Sequence, residues 1–253
     1  MPEPSSGSAA TLDPVEIERF ARLASQWWDA DGQFRTLHQI GPPRMTFLRE
    51  RLVVHFKVDQ AASLRPLEQL SILDVGCGGG LVCEPLARLG ARVTGIDPAA
   101  ENIEAARRHA AGHGLEIQYR AARAEELAGE GQVFDAVVCL EVVEHVPNVG
   151  AFLRTLGALV RPGGQMLLST INRTLKAYLL AIVGAEYVLR WLPVGTHQWE
   201  RFVTPEELTG HLQAAGLGAP ALQGLVYNPL TGIWSLSSAD TDVNYFAASA
   251  KPG

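Results

Sequence analysis

Residues 71–80 read S-I-L-D-V-G-C-G-G-G, and this stretch decides the fold. Ile72, Leu73 and Val75 predict a short buried strand, which the glycines after it cannot continue. Apolar residues return to helical spacing over 81–89, so the stretch as a whole predicts a strand, a glycine turn and a helix. Such a turn brings bare backbone N–H groups and a helix N-terminus close to a bound ligand.

A second strand, R-V-T-G-I-D at 92–97, ends on the carboxylate of Asp97. A glycine turn followed by an acid that closes the next strand is typical of α/β sheets that hold an adenosine. The turn lacks the G-x-G-x-x-G spacing of dinucleotide-binding proteins, and no Gly-Lys-Ser/Thr follows it, which excludes an NTP P-loop. Asp74 lies just before the glycines, where an acid suits a ligand with an amino group rather than a pyrophosphate.

The composition limits the class of protein. The chain has 253 residues, of which 47% are hydrophobic and 19% charged, and this fits one soluble globular domain. A formal net charge of −6 without a basic stripe argues against a nucleic-acid partner. Cys77, Cys83 and Cys139 show no zinc spacing and are expected to be free thiols in a reducing cytoplasm. Neither a signal peptide nor a membrane-spanning helix is predicted.

Strands and helices alternate from residue 71 to 171, which predicts a mostly parallel α/β sheet with helices on both faces. The last two strands have no helix between them and predict an antiparallel hairpin at one edge. The seven predicted strands are 71–76, 91–96, 116–121, 133–140, 165–171, 219–227 and 243–250. Residues 1–12 predict a disordered tail, and 13–253 a single domain that begins with a helical lid at 13–65.

Several motifs outside the glycine turn are more specific than the turn itself. They are W-W-D at 27–29, L-H-Q-I-G-P-P-R at 37–44, C-L-E-V-V-E-H-V at 139–146, S-T-I-N-R at 169–173, V-G-A-E-Y at 183–187, G-T-H at 195–197, Y-N-P at 227–229 and D-V-N-Y at 242–245. With the glycine turn, they resemble the ubiquinone-biosynthesis O-methyltransferase family of class I S-adenosylmethionine-dependent methyltransferases. The resemblance implies a Rossmann-like class I methyltransferase fold. One departure is Gly41-Pro42-Pro43, where the family usually has Asn-Pro-Leu.

The resemblance implies S-adenosylmethionine as the cofactor. Gly76 and its neighbours would approach the methionine part, and Asp97 would accept hydrogen bonds from the ribose hydroxyls. Arg44 would reach the cofactor carboxylate from the lid, although a charge on a helix surface is an alternative for this residue. Ala124 and Glu125 would border the adenine, with Leu140 beside the cofactor. The candidate cofactor-binding residues are therefore Arg44, Asp74, Gly76, Gly78, Asp97, Ala124, Glu125 and Leu140.

Glu141, Glu144 and His145 follow strand 133–140, at the carboxyl end where open α/β sheets bind ligands. A helical turn would place the three side chains on one side, where two carboxylates and an imidazole can hold a divalent ion, predicted to be Mg²⁺. Bound metal would lower the pKa of a catechol hydroxyl, and this metal-assisted deprotonation is the favoured prediction. The alternatives are His145 as a metal-free general base, or an internal hydrogen-bonded pair of Glu141 and His145.

Residues 174–200 predict an apolar helical insert. Its charges between 176 and 192 are Lys176, Glu186 and Arg190, which share a narrow arc of a helix. A helix this apolar is either buried in the core or lies in a membrane interface with its polar strip outward. The protein is predicted to be cytoplasmic. Because a polyprenylated substrate resides in the membrane, residues 174–192 are predicted to contact the inner face of the membrane peripherally.

The sequence thus predicts an enzyme that O-methylates ring hydroxyls of polyprenylated phenols or catechols on the ubiquinone pathway. The resemblance implies action at two steps of that pathway, within a ubiquinone-biosynthesis complex. Three alternatives remain open from the residues alone. They are a methyltransferase for a soluble phenol, a C-methylating relative, and a non-catalytic cofactor-binding scaffold of a membrane-associated complex.

Overall fold

The computed structural model describes residues 14–59, 63–178 and 199–253. Strands in these residues are β1 (Ser71–Val75), β2 (Arg92–Asp97), β3 (Gln118–Ala121), β4 (Phe134–Leu140), β5 (Val160–Ile171), β6 (Ala221–Asn228), β7 (Ile233–Ser237) and β8 (Asn244–Ala250). Helices in these residues are α1 (Pro14–Arg22), α2 (Arg35–Gln39), α3 (Gly41–His55), α4 (Cys83–Arg88), α5 (Ala100–Gly112), α6 (Ala124–Gly129), α7 (Val149–Leu159), α8 (Leu175–Ala177) and α9 (Pro205–Ala214).

All these strands form one sheet in the order β3-β2-β1-β4-β5-β8-β6-β7. Strands β1 to β5 pair in parallel, whereas β8 runs antiparallel to both β5 and β6. The predicted class, a mostly parallel sheet with an antiparallel edge, is confirmed. The predicted count of seven strands is wrong, because β7 adds an eighth at the outer edge. None of the five side chains of β7 is fully buried, so its sequence carries little of the apolar pattern that reveals a strand.

The core lies on both faces of the sheet. Neighbouring residues of β1 point to opposite faces, so Ile72 packs in one apolar cluster and Leu73 in the other. The first cluster includes Phe47 of α3, which stacks on Phe246 of β8 with ring centroids 4.6 Å apart. The second cluster contains Phe152 of α7. Burial on both faces explains why the parallel strands read as continuous apolar runs.

Two helix starts follow local rules. Helix α9 begins with a capping box, in which the Thr204 hydroxyl accepts from the Glu207 amide at 3.2 Å and the Glu207 carboxylate accepts from the Thr204 amide at 3.0 Å. Helix α3 begins at Gly41, because Pro42 and Pro43 fit the first turn, where no amide donor is needed.

The predicted apolar insert is described only at its two ends. Thr174 caps α8 by accepting from the Ala177 amide at 2.9 Å, and a single helical turn covers Trp199–Arg201. The predicted helix at 174–192 therefore lies largely outside the described residues. Within the described part of the chain, no helix has the length and apolar character needed to cross a membrane.

Candidate active site

A cavity of about 570 Å³ lies at the carboxyl ends of β1, β2 and β4. Its walls are mostly apolar, and the segment from α1 to α3 (residues 14–55), which we call the lid, closes one side. Every candidate site residue except Gly78 lines this one cavity. These residues are Arg44, Asp74, Gly76, Asp97, Ala124, Glu125, Leu140, Glu141, Glu144 and His145.

The glycine loop that follows β1 begins at Gly76, where there is no room for a side chain. Gly76 has a positive φ of +72°, and a Cβ there would collide with the side chain of Val142. The amides of Gly76 and Cys77 both donate to the carbonyl of Ile96, at 2.9 and 3.0 Å. These bonds tie the loop to the end of β2, so that the loop presents its backbone to the cavity.

The lid packs directly on the glycine loop. The indole of Trp27 covers Gly78 and Gly79 so closely that a Cβ on either glycine would collide with it. Trp27 also stacks on Phe34 with ring centroids 3.8 Å apart. The next residue, Trp28, donates from its indole nitrogen to the Gly79 carbonyl at 2.9 Å. Glycine is therefore required at positions 78 and 79 because the Trp27 indole lies against them. In the sequence, the W-W-D motif is the only indication of this contact.

Asp97 fastens the glycine loop to the end of β2. Its carboxylate accepts hydrogen bonds from the amides of Gly78 and Ala99, at 3.1 and 2.9 Å, and from the Asn102 side chain at 3.1 Å. Burial raises the pKa of Asp97, and these three donors partly offset that effect. Asn102 in turn accepts from the Trp27 indole at 2.8 Å. Sequence reasoning missed Asn102, which lies in the first turn of α5, five residues after Asp97.

Asp74 is the buried acid at the end of β1. Burial raises its pKa to about 6, and the hydrogen bond from the Cys83 thiol and the charge of Arg44 only partly offset this effect. The Cys83 sulfur lies 3.1 Å from the Asp74 carboxylate. A carboxyl group in this environment changes its charge readily when a cationic ligand enters the cavity.

Glu141 is held between the lid and β5. Its φ is +52°, a left-handed conformation that side chains other than glycine adopt at a cost of roughly 1 kcal/mol. The carboxylate forms an ion pair with Arg44 and accepts from the Ser169 hydroxyl at 2.6 Å. Arg44 is 4% exposed, so the alternative of a surface charge is wrong for this residue.

Glu144 and His145 have different partners. Glu144 is buried and accepts from the Thr170 hydroxyl at 2.8 Å, and burial raises its pKa. The Nδ1 atom of His145 lies 3.1 Å from the carboxylate of Glu16 in α1. Burial opposes a charged imidazole, but the adjacent carboxylate of Glu16 and the charge of Glu144 outweigh it and raise the pKa of His145.

The structure does not bring the predicted metal ligands together. Glu141 has a left-handed backbone and only Val143–His145 form a helical turn. Although all three residues line the cavity, their ligand atoms are not among those that converge within 4.8 Å of one another in the described part of the chain. Glu141 faces Arg44 and Ser169, Glu144 faces Thr170, and His145 faces Glu16. Their donor types suit a metal, but in this arrangement they do not form a ligand set. The alternative of a Glu141–His145 pair is likewise not what the structure shows.

The sheet, the glycine loop and the acid at the end of β2 define a class I S-adenosylmethionine-dependent methyltransferase. Residues 47–219 match a family model described as a methyltransferase domain. Among solved structures, magnesium protoporphyrin IX methyltransferase of Synechocystis with bound SAH has a TM-score of 0.62 and 19% identity, covering 94% of this chain and 95% of that one. At this identity the likeness supports the fold alone.

Curated relatives narrow the class further. The ubiquinone biosynthesis O-methyltransferase of Azorhizobium caulinodans is 56% identical over 237 residues, 94% of this chain and 93% of the relative. The protein of the same name from Methylocella silvestris is 51% identical over 99% of both chains. The chain belongs to the ubiquinone biosynthesis O-methyltransferase family. It is an O-methyltransferase whose cofactor is S-adenosylmethionine.

Proposed function

We propose that this enzyme methylates ring hydroxyls of the catechol type on polyprenylated precursors of ubiquinone, at two steps of the pathway. The names of the relatives support the pathway, and family membership favours an enzyme over the scaffold alternative. One observation carries the proposal most directly. A single cavity joins the glycine loop and Asp97 to His145 and continues along apolar walls that suit a prenyl chain.

The apolar end of the cavity is formed by the antiparallel edge of the sheet and by α1. Leu225, Tyr227 and Trp234 come from β6 and β7, and Ile17 and Phe20 come from α1. Tyr227 and Trp234 pack with ring centroids 5.1 Å apart. Because burial of apolar surface stabilises a complex by about 25 cal/mol per Å², a prenyl chain along these walls would add affinity that a soluble phenol lacks.

In the proposed mechanism the cofactor supplies an activated methyl group when it is bound. The protein orients the acceptor hydroxyl and removes its proton. Glu16 engages Nδ1 of His145, which leaves Nε2 as the ring nitrogen available to a substrate hydroxyl in the cavity. We propose that His145 Nε2 takes the proton and that Glu16 stabilises the resulting imidazolium. The apolar walls exclude water from the transferred methyl group.

The Mg²⁺ site at Glu141, Glu144 and His145 stays a prediction. Its ligands would have to leave Arg44, Thr170 and Glu16, so no step of the mechanism is routed through it. A strong chelator separates the two mechanisms: full loss of methyl transfer, restored by added Mg²⁺, would favour the metal over the metal-free base. Retained activity after chelation would leave His145 as the base.

The proposed peripheral membrane contact draws support from exposed apolar side chains at both ends of the insert. Leu175 is 72% exposed, and Tyr178 and Trp199 are also exposed. Together they would dock on the inner face of the membrane and deliver the prenylated substrate, either alone or within a biosynthetic complex. Replacing all three by serine should weaken binding to liposomes with anionic lipids. Binding equal to wild type, in a variant of unchanged melting temperature, would contradict the contact.

The substrate proposal is tested by comparing two catechols that differ only in their side chain. We expect kcat/KM to be much higher for a prenylated catechol than for its methyl-substituted analogue, with most of the difference in KM. Equal kcat/KM for both would favour the alternative of a soluble phenol. Analysis of the product by mass spectrometry and NMR would show whether oxygen or carbon carries the methyl group.

A further inference from the structure

A cluster of possible metal ligands lies outside the active-site cavity. It consists of Glu84 in α4 and of His109 and His113 at the end of α5. Their ligand atoms all lie within 4.8 Å of one another. None of the three residues lines the cavity. Among the described residues, this is the one group of three or more His, Cys, Asp or Glu side chains that converge in this way.

Glu84 provides a preformed anionic ligand. Its carboxylate is fully buried, which is costly unless the charge has partners. One oxygen lies 2.6 Å from His109 Nδ1, and the other accepts from Arg88 at 2.9 Å. The oxygen next to His109 is thus already placed beside a second candidate ligand, at hydrogen-bond distance. The two atoms would move apart to about 3.3 Å to share one tetrahedral ion.

The two histidines are spaced four residues apart on one helix face. Residues at i and i+4 are neighbours on a helix, and a histidine pair at this spacing is a known zinc-binding arrangement. The ring centroids of His109 and His113 lie 4.2 Å apart. His113 Nδ1 lies 2.8 Å from the His109 carbonyl, which leaves its Nε2 as the ligand atom on the exposed side. The exposed position of His113 gives a metal ion access from solvent.

We propose that Glu84, His109 and His113 bind a zinc-class transition-metal ion. One carboxylate and two imidazoles match the ligand types that Zn²⁺ takes, with water in the fourth position. Coordination would release the proton shared by Glu84 and His109 to solvent. Arg88 would keep its hydrogen bond to the second oxygen of Glu84, so that only one carboxylate oxygen is needed for the metal.

The contacts of His109 connect this site to the cofactor end. The indole of Trp28 stacks on the His109 imidazole with ring centroids 3.4 Å apart and an interplanar angle of 4°. The same indole donates to the Gly79 carbonyl of the glycine loop. An ion that fixes the His109 ring would therefore also fix Trp28 against the loop. The inferred role is a structural clamp on the lid, separate from the methyl-transfer chemistry.

Metal binding is tested by titrating Zn²⁺ into tag-free, chelator-treated protein in competition with a chromophoric chelator. The decisive variant is His113→Gln, because an exposed side chain is replaced without loss of packing. His55→Gln, in α3, is the matched control. We expect one equivalent of zinc per wild-type chain, affinity at least tenfold lower in the His113 variant, and affinity unchanged in the control.

A third variant, His145→Gln, separates this site from the active site. Wild-type zinc affinity in that variant, with loss in His113→Gln, supports the proposal. Equal affinity in wild type and His113→Gln, or loss in His145→Gln alone, overturns it.

A second experiment locates the bound ion by the quenching of tryptophan fluorescence by Cu²⁺. Because Trp28 stacks on His109, removal of this indole in Trp28→Phe should reduce the quenching. Full quenching in Trp28→Phe would place the ion elsewhere and overturn the assignment.

Discussion

The two ends of the active-site cavity are built in different ways. At the cofactor end, Asp74, the glycine loop and Asp97 come from one short stretch of chain, and many of their contacts use backbone amides. At the reaction end, His145 depends on Glu16 of α1, and Glu141 depends on Arg44, which is 97 residues away in sequence. The residues of the cofactor end thus come mainly from one short stretch of chain that the lid covers, whereas the ion pairs of the reaction end are themselves made by lid residues.

Substitutions at the two ends are therefore expected to affect different properties of the enzyme. Changes at His145 and Glu16 should lower kcat and leave cofactor binding intact, because the glycine loop does not depend on those side chains. Changes at the glycine loop should instead weaken cofactor binding, because added atoms collide with the lid. The following experiments measure kcat, cofactor affinity or both.

The largest effect is expected for His145→Gln. If His145 takes the proton of the acceptor hydroxyl, kcat should fall by roughly 10²–10⁴-fold. Affinity for S-adenosylhomocysteine, measured by calorimetry, should stay at the wild-type value. A near-normal kcat in this variant would show that His145 is not the general base. It would also contradict the proposed difference between the two ends.

The next effect is expected for Gly78→Ala. The residue has a φ of +52°, and its new Cβ would collide with the Trp27 indole. Strain and displacement of Trp27 together should weaken cofactor binding by about 10- to 100-fold, equivalent to about 1.4–2.8 kcal/mol. Gly114→Ala is the matched control, since Gly114 has a similar φ of +64° but nothing within 4 Å of the added Cβ. Equal losses of affinity in both variants would assign the effect to strain rather than to the lid contact.

Glu16→Gln should have a smaller effect, confined to the reaction end. Loss of the carboxylate should lower the pKa of His145, because the adjacent Glu16 carboxylate raises it. The neutral base would then form at lower pH, so the acidic limb of the kcat–pH profile should move to lower pH. At the same time kcat should fall by about tenfold, since the imidazolium loses its partner. An unmoved acidic limb would argue against Glu16 as the residue that positions His145.

The smallest effect is expected in the pH dependence of cofactor binding. Asp74 has a pKa of about 6 in the folded protein, so it gains its negative charge as the pH rises through that value. The cationic cofactor should therefore bind about fourfold more tightly at pH 7 than at pH 5.5. Asp74→Asn should flatten this dependence. A slope that persists in the variant would assign the titration to another group, such as Asp97.

Sequence reasoning was most accurate where structure depends on neighbouring residues. The strand, glycine turn and helix at 71–89 follow rules that act within a few residues. The edge strand β7 was missed because it buries no side chain fully and depends on pairing with β6. The family resemblance pointed to Arg44 as a cofactor residue, which stays a prediction, and only the structure shows that its guanidinium pairs with Glu141.

The sequence by itself determined the α/β class, the glycine loop with Asp97, and the family. These features are local patterns of residue type and spacing, which need no knowledge of distant contacts. Only the tertiary structure decided that Trp27 covers Gly78 and Gly79, that Glu16 faces His145, and that the predicted metal ligands do not converge. The physical reason is that each of these contacts joins segments far apart in the chain. Their geometry depends on how the lid packs against the sheet, and no local pattern encodes that packing.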